Sequence, residues 1–268
     1  MKKYFFAYID EIPNSLHNTL FSAQHLLAIT MVICSWIVLT LMFKDKSREN
    51  KWRFIVKISM LLPLLEVAQI VWYKSIGQFS LGYTLPLHLC SLMCVLLPIM
   101  AFTRNGLLIE YSYAIGLASA LMAIITPDVY FYPQFSFIYI QSMLVHGIIC
   151  FIPIFLIFGM GVKPNIRKLP KVLGMLVGLS ILITPVNYIT NGNYFFLRYP
   201  ASGSPMELFA DLLGRPWYLI PTLLFGCVLW AALYLPFVAV EQRAKYKQLE
   251  LRESELTEHE EQRVLAMK

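Results

Sequence analysis

The stretch "YTLPLHLCSLMC", from Tyr83 to Cys94, places a thiol, an imidazole and a proline in an otherwise apolar run. Pro86, His88 and Cys90 fall within five residues. A thiol in apolar surroundings is inert, and it becomes a nucleophile when a nearby imidazole or another positive field favours the thiolate. The stretch therefore suggests thiol chemistry at Cys90, provided that a histidine lies close to the sulfur.

Two histidines are candidates for the base that would activate Cys90. His88 lies two residues before it, so on a helix the two side chains point about 200° apart. At about 1.5 Å per helical residue, Cys90 lies roughly 10 Å and His146 roughly 16 Å from the start of their apolar runs. A depth difference of about 6 Å still permits contact, so His146 is the better candidate. Glu66 is expected to orient a histidine. Cys94, one turn beyond Cys90, has no histidine at its depth and is expected to be a packing residue.

The composition points to lipid as the solvent. The 268 residues are 58% hydrophobic and only 14% charged, whereas a soluble domain carries about 25% charged residues. The net charge of +6 comes from basic residues that lie between apolar runs rather than in a basic patch. That arrangement is typical of charge-oriented membrane helices and argues against nucleic acid as a partner.

Seven apolar runs approach or exceed the roughly 20 residues that a membrane-spanning helix needs. They are Leu20–Phe43, Phe54–Tyr73, Tyr83–Phe102, Leu107–Thr126, Phe135–Met160, Val172–Ile189 and Trp217–Val240. The sequence thus predicts an all-α, polytopic membrane protein with seven transmembrane helices. Residues 1–19 would form an extracytoplasmic, interfacial N-terminal segment, residues 20–240 the transmembrane domain, and residues 241–268 a charged cytoplasmic helical tail.

The Lys and Arg residues predict the orientation of these helices. Sixteen of the 22 fall in the loops after the first, third and fifth runs or in the C-terminal tail. Because Lys and Arg are retained on the cytoplasmic side, the N-terminus is predicted to lie outside and the C-terminus in the cytoplasm.

In that orientation the polar residues of the apolar runs gather in the outer half of the membrane. These residues are His25, Glu66, Gln69, His88, Gln141, His146 and Asn187. Polar groups in lipid are costly unless they face a cavity or one another, so the pattern predicts an outward-facing polar cavity. In this cavity His25, Glu66, Gln69, His88, Gln141 and Asn187 would bind substrate or support the site. Backbone amides, or the side-chain amides of Gln141 and Asn187, would be the oxyanion donors. Helix–helix hydrogen bonding is the alternative explanation.

Six motifs, in chain order, carry a family resemblance: "FSAQHLL", "LPLHLCSL", "TPD", "LVHG", "NYITNGNYFFL" and "RPWY". Together they resemble the bacterial YwaF-type integral membrane proteins, which are similar to the eukaryotic transmembrane protein 164 family. The resemblance implies an acyltransferase that moves fatty acyl chains among glycerophospholipids, with Cys90 as nucleophile and His146 as base. It also implies phospholipids or lysophospholipids as partners, the bacterial cytoplasmic membrane as the location, and neither a cofactor nor a metal.

Three other functions are compatible with the same residues. His25, His88, His146 and Glu66 could supply three nitrogens and one oxygen to zinc in a metal-dependent intramembrane lipid hydrolase. A transporter or receptor would use the outward cavity for binding alone. A structural membrane subunit would need no site at all.

Overall fold

The computed structural model describes residues 2–201 and 204–266, and the regular elements in this part of the chain are all helical. The α-helices are α1 Ala23–Met42, α2 Arg48–Ser59, α3 Leu61–Ser75, α4 Leu89–Thr103, α5 Gly106–Tyr111, α6 Ala118–Ile125, α7 Phe137–Ile154, α8 Leu169–Thr190, α9 Pro205–Leu213 and α10 Leu219–Ala266. Two π-helical segments, Ser112–Leu117 and Phe155–Gly159, join α5 to α6 and extend α7. The predicted all-α fold class is therefore confirmed for the described residues.

Within the described residues, six stretches are long and apolar enough to cross a membrane. They are Ala23–Met42, Arg48–Ser75, Gly106–Ile125, Phe137–Gly159, Ile166–Thr190 and Leu219–Glu253. Helix α4 is apolar too, but it has only 15 residues, which is about 22 Å of helix against a hydrocarbon core of about 30 Å. The chain is a multi-pass helical membrane protein, and the count of seven crossings stays a prediction.

Prolines explain where two of the apolar runs depart from a continuous helix. Helix α4 begins at Leu89 rather than at Tyr83, because Pro86 has no N–H and disfavours helical backbone at the residue before it. Pro63 likewise cannot donate to the carbonyl four residues earlier, and the chain turns between α2 and α3 at Met60.

Loop contacts divide the molecule into two faces. On the first, the N-terminal segment reaches the loop after α6, where the Asn18 N–H donates to the Phe131 carbonyl at 3.0 Å. The Leu85 N–H on the same face donates to the Tyr194 hydroxyl at 3.0 Å. We call this the N-terminal face. On the opposite, C-terminal face, Arg104 pairs with Glu49 at 2.8 Å.

The N-terminal segment is ordered against the rest of the chain. It forms three short 3-10 turns, and its Phe6 carbonyl accepts a 2.8 Å hydrogen bond from the Trp72 indole. The Phe5 carbonyl accepts a hydrogen bond of the same length from the Phe137 N–H at the start of α7. Residues 2–16 therefore cover the ends of α3 and α7. Met1, which the predicted segment includes, lies outside the described residues.

Helix α10 is attached to the π-helical segment between α5 and α6. The Trp230 indole donates to the Ala114 carbonyl at 2.9 Å, and the Tyr113 hydroxyl donates to the Leu233 carbonyl at 2.6 Å. The Tyr234 hydroxyl donates to the buried Glu110 carboxylate, also at 2.6 Å. Beyond these contacts α10 continues unbroken to Ala266, so the predicted tail is helical to that residue, and residues 267–268 lie outside the described part of the chain.

Candidate active site

Cys90 lies in the first turn of α4, where a helix carries unsatisfied backbone N–H groups. The N-cap residue, His88, has an extended backbone and provides no side-chain cap. The N–H groups of Cys90 and its neighbour Ser91 consequently have no acceptor within the helix. Such groups form the positive end of the helix, which stabilises negative charge that develops close to it.

Two other helices bring polar groups to the Cys90 sulfur. The thiol donates a long hydrogen bond, 3.7 Å, to the Ser119 hydroxyl oxygen at the start of α6. The His146 imidazole on α7 lies close enough to the thiol for the two groups to interact electrostatically. Ser119 is held in turn, because its own hydroxyl donates to the Ile115 carbonyl at 2.8 Å. Three helices therefore contribute to the surroundings of the sulfur, and Cys90 and His146 lie near each other, as the depth estimate permits.

The backbone of α7 determines which nitrogen of His146 is a base. Its Nδ1 lies 2.8 Å from the Ser142 carbonyl oxygen, one helical turn earlier. A carbonyl only accepts hydrogen bonds, so Nδ1 carries the proton and donates it. Nε2 is then the nitrogen with the free lone pair, and it is the one that remains for the thiol. The Ser142 hydroxyl makes a second contact with Nδ1 at 3.2 Å.

The candidate group is partly accessible. Cys90, Ser119 and His146 all keep partial exposure. Cys94 and Cys150, one turn further along α4 and α7, are 0% exposed. The thiol and the imidazole of the group are thus more accessible than the two cysteines one turn away.

Glu66 lies beside this group without holding the histidine. Its carboxylate accepts a hydrogen bond from the Cys94 thiol at 3.7 Å, and it acts on His146 only through the electrostatic field. Cys94, which was expected to be a packing residue, is fully buried and has this carboxylate as a further partner. The orienting partner of His146 is the Ser142 carbonyl rather than Glu66.

Gln69 and Gln141 connect α3 with α7. The Gln141 amide donates to the Leu65 carbonyl at 3.2 Å and to the Gln69 side-chain oxygen at 3.4 Å. Since its donors are engaged in this contact, Gln141 acts as a helix–helix link here and not as the oxyanion donor that the sequence suggested.

Asn187 is fully buried and holds the loop that follows α8. Its amide nitrogen donates to the Tyr194 carbonyl at 2.9 Å, and its oxygen accepts from the Tyr194 N–H at 2.6 Å. The Tyr194 hydroxyl then donates to the Leu81 carbonyl at 2.8 Å. Asn187 therefore positions the segment that leads into α4, and its side-chain amide is bonded to this loop.

His88 points into an aromatic cluster on the N-terminal face. Its ring lies 4.8 to 5.9 Å, centroid to centroid, from the rings of Tyr83, Tyr194 and Phe196. Its Nε2 is buried without a hydrogen-bond partner among the described residues. His88 therefore belongs to the rim above Cys90.

His25 is a buried structural histidine. Its Nδ1 accepts from the Phe21 N–H at 3.1 Å, so Nε2 carries the proton and donates to the Ile124 carbonyl at 3.1 Å. Both nitrogens are thereby occupied, and the side chain is 0% exposed. His25 joins α1 to the end of α6 and cannot act as a base or a ligand in this arrangement.

These placements do not assemble the zinc site that the histidines and Glu66 suggested. The His25 nitrogens are occupied and His88 faces an aromatic cluster. Within residues 2–201 and 204–266, no three His, Cys, Asp or Glu side chains are arranged to hold a metal ion.

Three serines of the site escaped the sequence analysis: Ser91, Ser119 and Ser142. The spacing of Ser142 and His146 places both on one face of a helix, so that pair was detectable. Ser119 could not be placed near Cys90 from the sequence, because the π-helical segment Ser112–Leu117 shifts the helical register ahead of it.

Comparison with known proteins gives one match. The model of the TMEM164 family matches residues 20–234, which include every residue of the site described above. No curated protein and no solved structure matches the chain.

Proposed function

Because the chain belongs to the TMEM164 family, we propose that it is a membrane-embedded lipid acyltransferase or acyl hydrolase that acts on glycerophospholipids through a thioester on Cys90. The observation that carries the proposal is the Nδ1 hydrogen bond of His146, at 2.8 Å from the Ser142 carbonyl. It leaves Nε2 as the lone-pair nitrogen beside a partly exposed thiol, which is the arrangement that a Cys-His nucleophile needs.

In the first half-reaction, His146 Nε2 takes the proton from the Cys90 thiol. The thiolate attacks the ester carbonyl carbon of a phospholipid, and a tetrahedral intermediate forms. When that intermediate collapses, the bond between the carbonyl carbon and the glycerol oxygen breaks, and the imidazolium returns its proton to that oxygen. The products are an acyl-thioester on Cys90 and a free lysolipid.

In the second half-reaction, the hydroxyl of another lysolipid, or a water molecule, gives its proton to His146 and attacks the thioester carbonyl. The bond between carbon and sulfur breaks, and the imidazolium proton returns to the sulfur. A lysolipid acceptor makes the reaction an acyl transfer, and water makes it a hydrolysis.

The uncapped start of α4 is suited to stabilise the oxyanion of both intermediates. The N–H groups of Cys90 and Ser91 lie beside the sulfur and have no acceptor within the helix. Preorganised backbone donors of this kind stabilise charge that appears only in the transition state. They take the place of the Gln141 and Asn187 amides, which have other partners.

For the membrane arrangement we propose seven crossings, with the N-terminal face outside a bacterial cytoplasmic membrane and the C-terminal face in the cytoplasm. Helix α4 would be the short crossing, completed by the turns of residues 83–88. The excess of Lys and Arg in the loops of the C-terminal face supports this orientation. The substrate would then reach Cys90 from the outer leaflet.

The proposal is tested by the intact mass of the purified protein after incubation with phospholipid vesicles. We expect an acyl-sized adduct that neutral hydroxylamine removes, because hydroxylamine cleaves thioesters. Cys90→Ser and His146→Ala should lack the adduct, whereas Cys94→Ala, the matched control one turn away, should keep it. A wild type without any adduct, or an adduct that survives in Cys90→Ser, would overturn the proposal.

A further inference from the structure

Two arginines contact the same tyrosine ring in the segment between α8 and α10. The Arg215 guanidinium lies 4.3 Å, and that of Arg198 5.3 Å, from the centroid of the Tyr199 ring. Arg215 is exposed and Arg198 is partly buried. Both positive charges lie beside the same ring, so an anion at this ring would be attracted to both of them.

The charge of this pair is not neutralised by a carboxylate in the part of the chain that the structure describes. The ion pairs found there are Arg104 with Glu49 and Lys245 with Glu241. Both lie away from the N-terminal face. Arg215 therefore presents a guanidinium whose fork of N–H donors matches the oxygens of a phosphate.

Arg198 is held in place by the end of α8. One of its guanidinium nitrogens donates to the Asn187 carbonyl at 3.1 Å, to the Asn191 side chain at 2.9 Å and to the Gly192 carbonyl at 3.2 Å. Its other terminal nitrogen faces the Tyr199 hydroxyl at 3.4 Å. One arginine of the pair is thus fixed by the scaffold, and the other is exposed beside it.

The surroundings of the pair resemble a membrane interface. Helix α9 exposes Leu208 and Leu212, and the next aromatic residue, Trp217, is 61% exposed. Aromatic and basic side chains beside exposed apolar ones are typical of the lipid head-group level. In the proposed orientation the arginines lie on the outer side, at the level of the lipid head groups.

The segment also continues into the rim of the candidate active site. Phe196, two residues before Arg198, packs on the His88 ring at 5.9 Å. The Tyr218 hydroxyl, three residues after Arg215, donates to the Phe196 carbonyl. A ligand bound at the arginines would therefore lie next to the aromatic rim above Cys90.

We infer that Arg198, Tyr199 and Arg215 bind the phosphate of a glycerophospholipid head group. The identification of this lipid as the substrate rests on the function proposed above. The chemistry itself, a guanidinium pair on a phosphate, is shared with inorganic phosphate, and the experiment separates the two sources.

The test measures lipid binding by native mass spectrometry on the full chain in a maltoside detergent. The probes are phosphatidylglycerol and diacylglycerol with the same acyl chains, the second of which lacks the phosphate. We expect the wild type to prefer phosphatidylglycerol, and Arg215→Ala to bind it about tenfold more weakly, as the loss of one charge-assisted hydrogen bond implies. Binding of diacylglycerol should not change. The unfolding temperature of Arg215→Ala verifies that this exposed substitution leaves the fold intact.

The matched control is Arg243→Ala, an exposed arginine at the C-terminal face, which should bind both lipids as the wild type does. Equal binding of phosphatidylglycerol by the wild type and Arg215→Ala, or an equal loss in Arg243→Ala, would overturn the inference. Displacement of the lipid by inorganic phosphate at a similar concentration would identify a soluble anion as the ligand and overturn the lipid assignment. All measurements are repeated in Cys90→Ala, so a protein that forms no thioester still reports on this site.

Discussion

Two histidines in the same half of the molecule have opposite hydrogen-bonding situations. Around His25, the Phe21 N–H and the Ile124 carbonyl occupy both ring nitrogens. Around His146, Ser142 contacts Nδ1, Nε2 keeps its lone pair, and the Cys90 thiol lies near the ring. The first region joins two helices, and the second leaves a lone pair beside a nucleophile.

The comparison shows that a histidine can act as a base only when one of its ring nitrogens keeps a free lone pair. The presence of an imidazole is not sufficient. A histidine whose two ring nitrogens both have hydrogen-bond partners has no free lone pair to accept a proton. Replacing such a histidine lowers the stability of the protein. A histidine with one satisfied nitrogen has a defined tautomer and a defined acceptor. The same distinction separates Glu110, which is bonded to Tyr234 and to the Asn165 N–H, from Glu66, which lies among thiol and hydroxyl groups.

The strongest test of this comparison substitutes each histidine by alanine. His146→Ala should slow thioester formation by about 100-fold or more, the usual contribution of a general base. His25→Ala should instead lower the free energy of unfolding by about 1–3 kcal/mol, because two buried hydrogen bonds lose their partner. Intact-mass kinetics and thermal unfolding in detergent separate the two effects. A loss of rate in His25→Ala without a loss of stability would break the comparison.

The reactivity of Cys90 towards a small alkylating agent gives a second test, in which the expected effect is of intermediate size. Alkylation requires the thiolate, so it should fall roughly tenfold in His146→Ala, where the neighbouring base is gone. In His25→Ala the rate should match the wild type. Peptide mapping by mass spectrometry follows each cysteine separately, and the buried Cys94 and Cys150 provide the internal standard for a slow thiol. Equal rates at these two thiols and at Cys90 would contradict the prediction.

The smallest expected effect sharpens the role of Ser142. Ser142→Ala removes the hydroxyl contact at 3.2 Å but keeps the backbone carbonyl that accepts from Nδ1 at 2.8 Å. Thioester formation should therefore change by less than about twofold, since the orienting bond survives. A drop as large as that of His146→Ala would show that the hydroxyl, rather than the carbonyl, orients the imidazole.

Much of the fold could be predicted, because the length and apolarity of membrane helices are visible in the chain. The predicted runs Phe135–Met160 and Val172–Ile189 lie within a few residues of the observed Phe137–Gly159 and Leu169–Thr190. The helix predicted from Tyr83 begins at Leu89 instead, since Pro86 outweighs the apolar character of its neighbours. The rule for proline was available, but the apolar run concealed its consequence.

The candidate site was predictable only in part. The pairing of Cys90 with His146 was predicted from the position of each residue along its own helix, because the helical rise per residue is the same in any packing arrangement. Asn187 and Gln141 were assigned as oxyanion donors, because a sequence shows a free amide without showing its partner. Their actual partners, Tyr194 and Leu65, come from a loop and from another helix.

The sequence by itself determined that this is a helical, multi-pass membrane protein with a thiol and an imidazole at similar depth, because apolar length, helical rise and residue type need no tertiary contact. Only the tertiary structure decided which histidine can act as a base. The carbonyl that occupies His25 lies 99 residues away along the chain, whereas the one that orients His146 lies four residues away. A ring nitrogen is free or occupied according to the helices packed against it, and that packing is established only when the chain has folded.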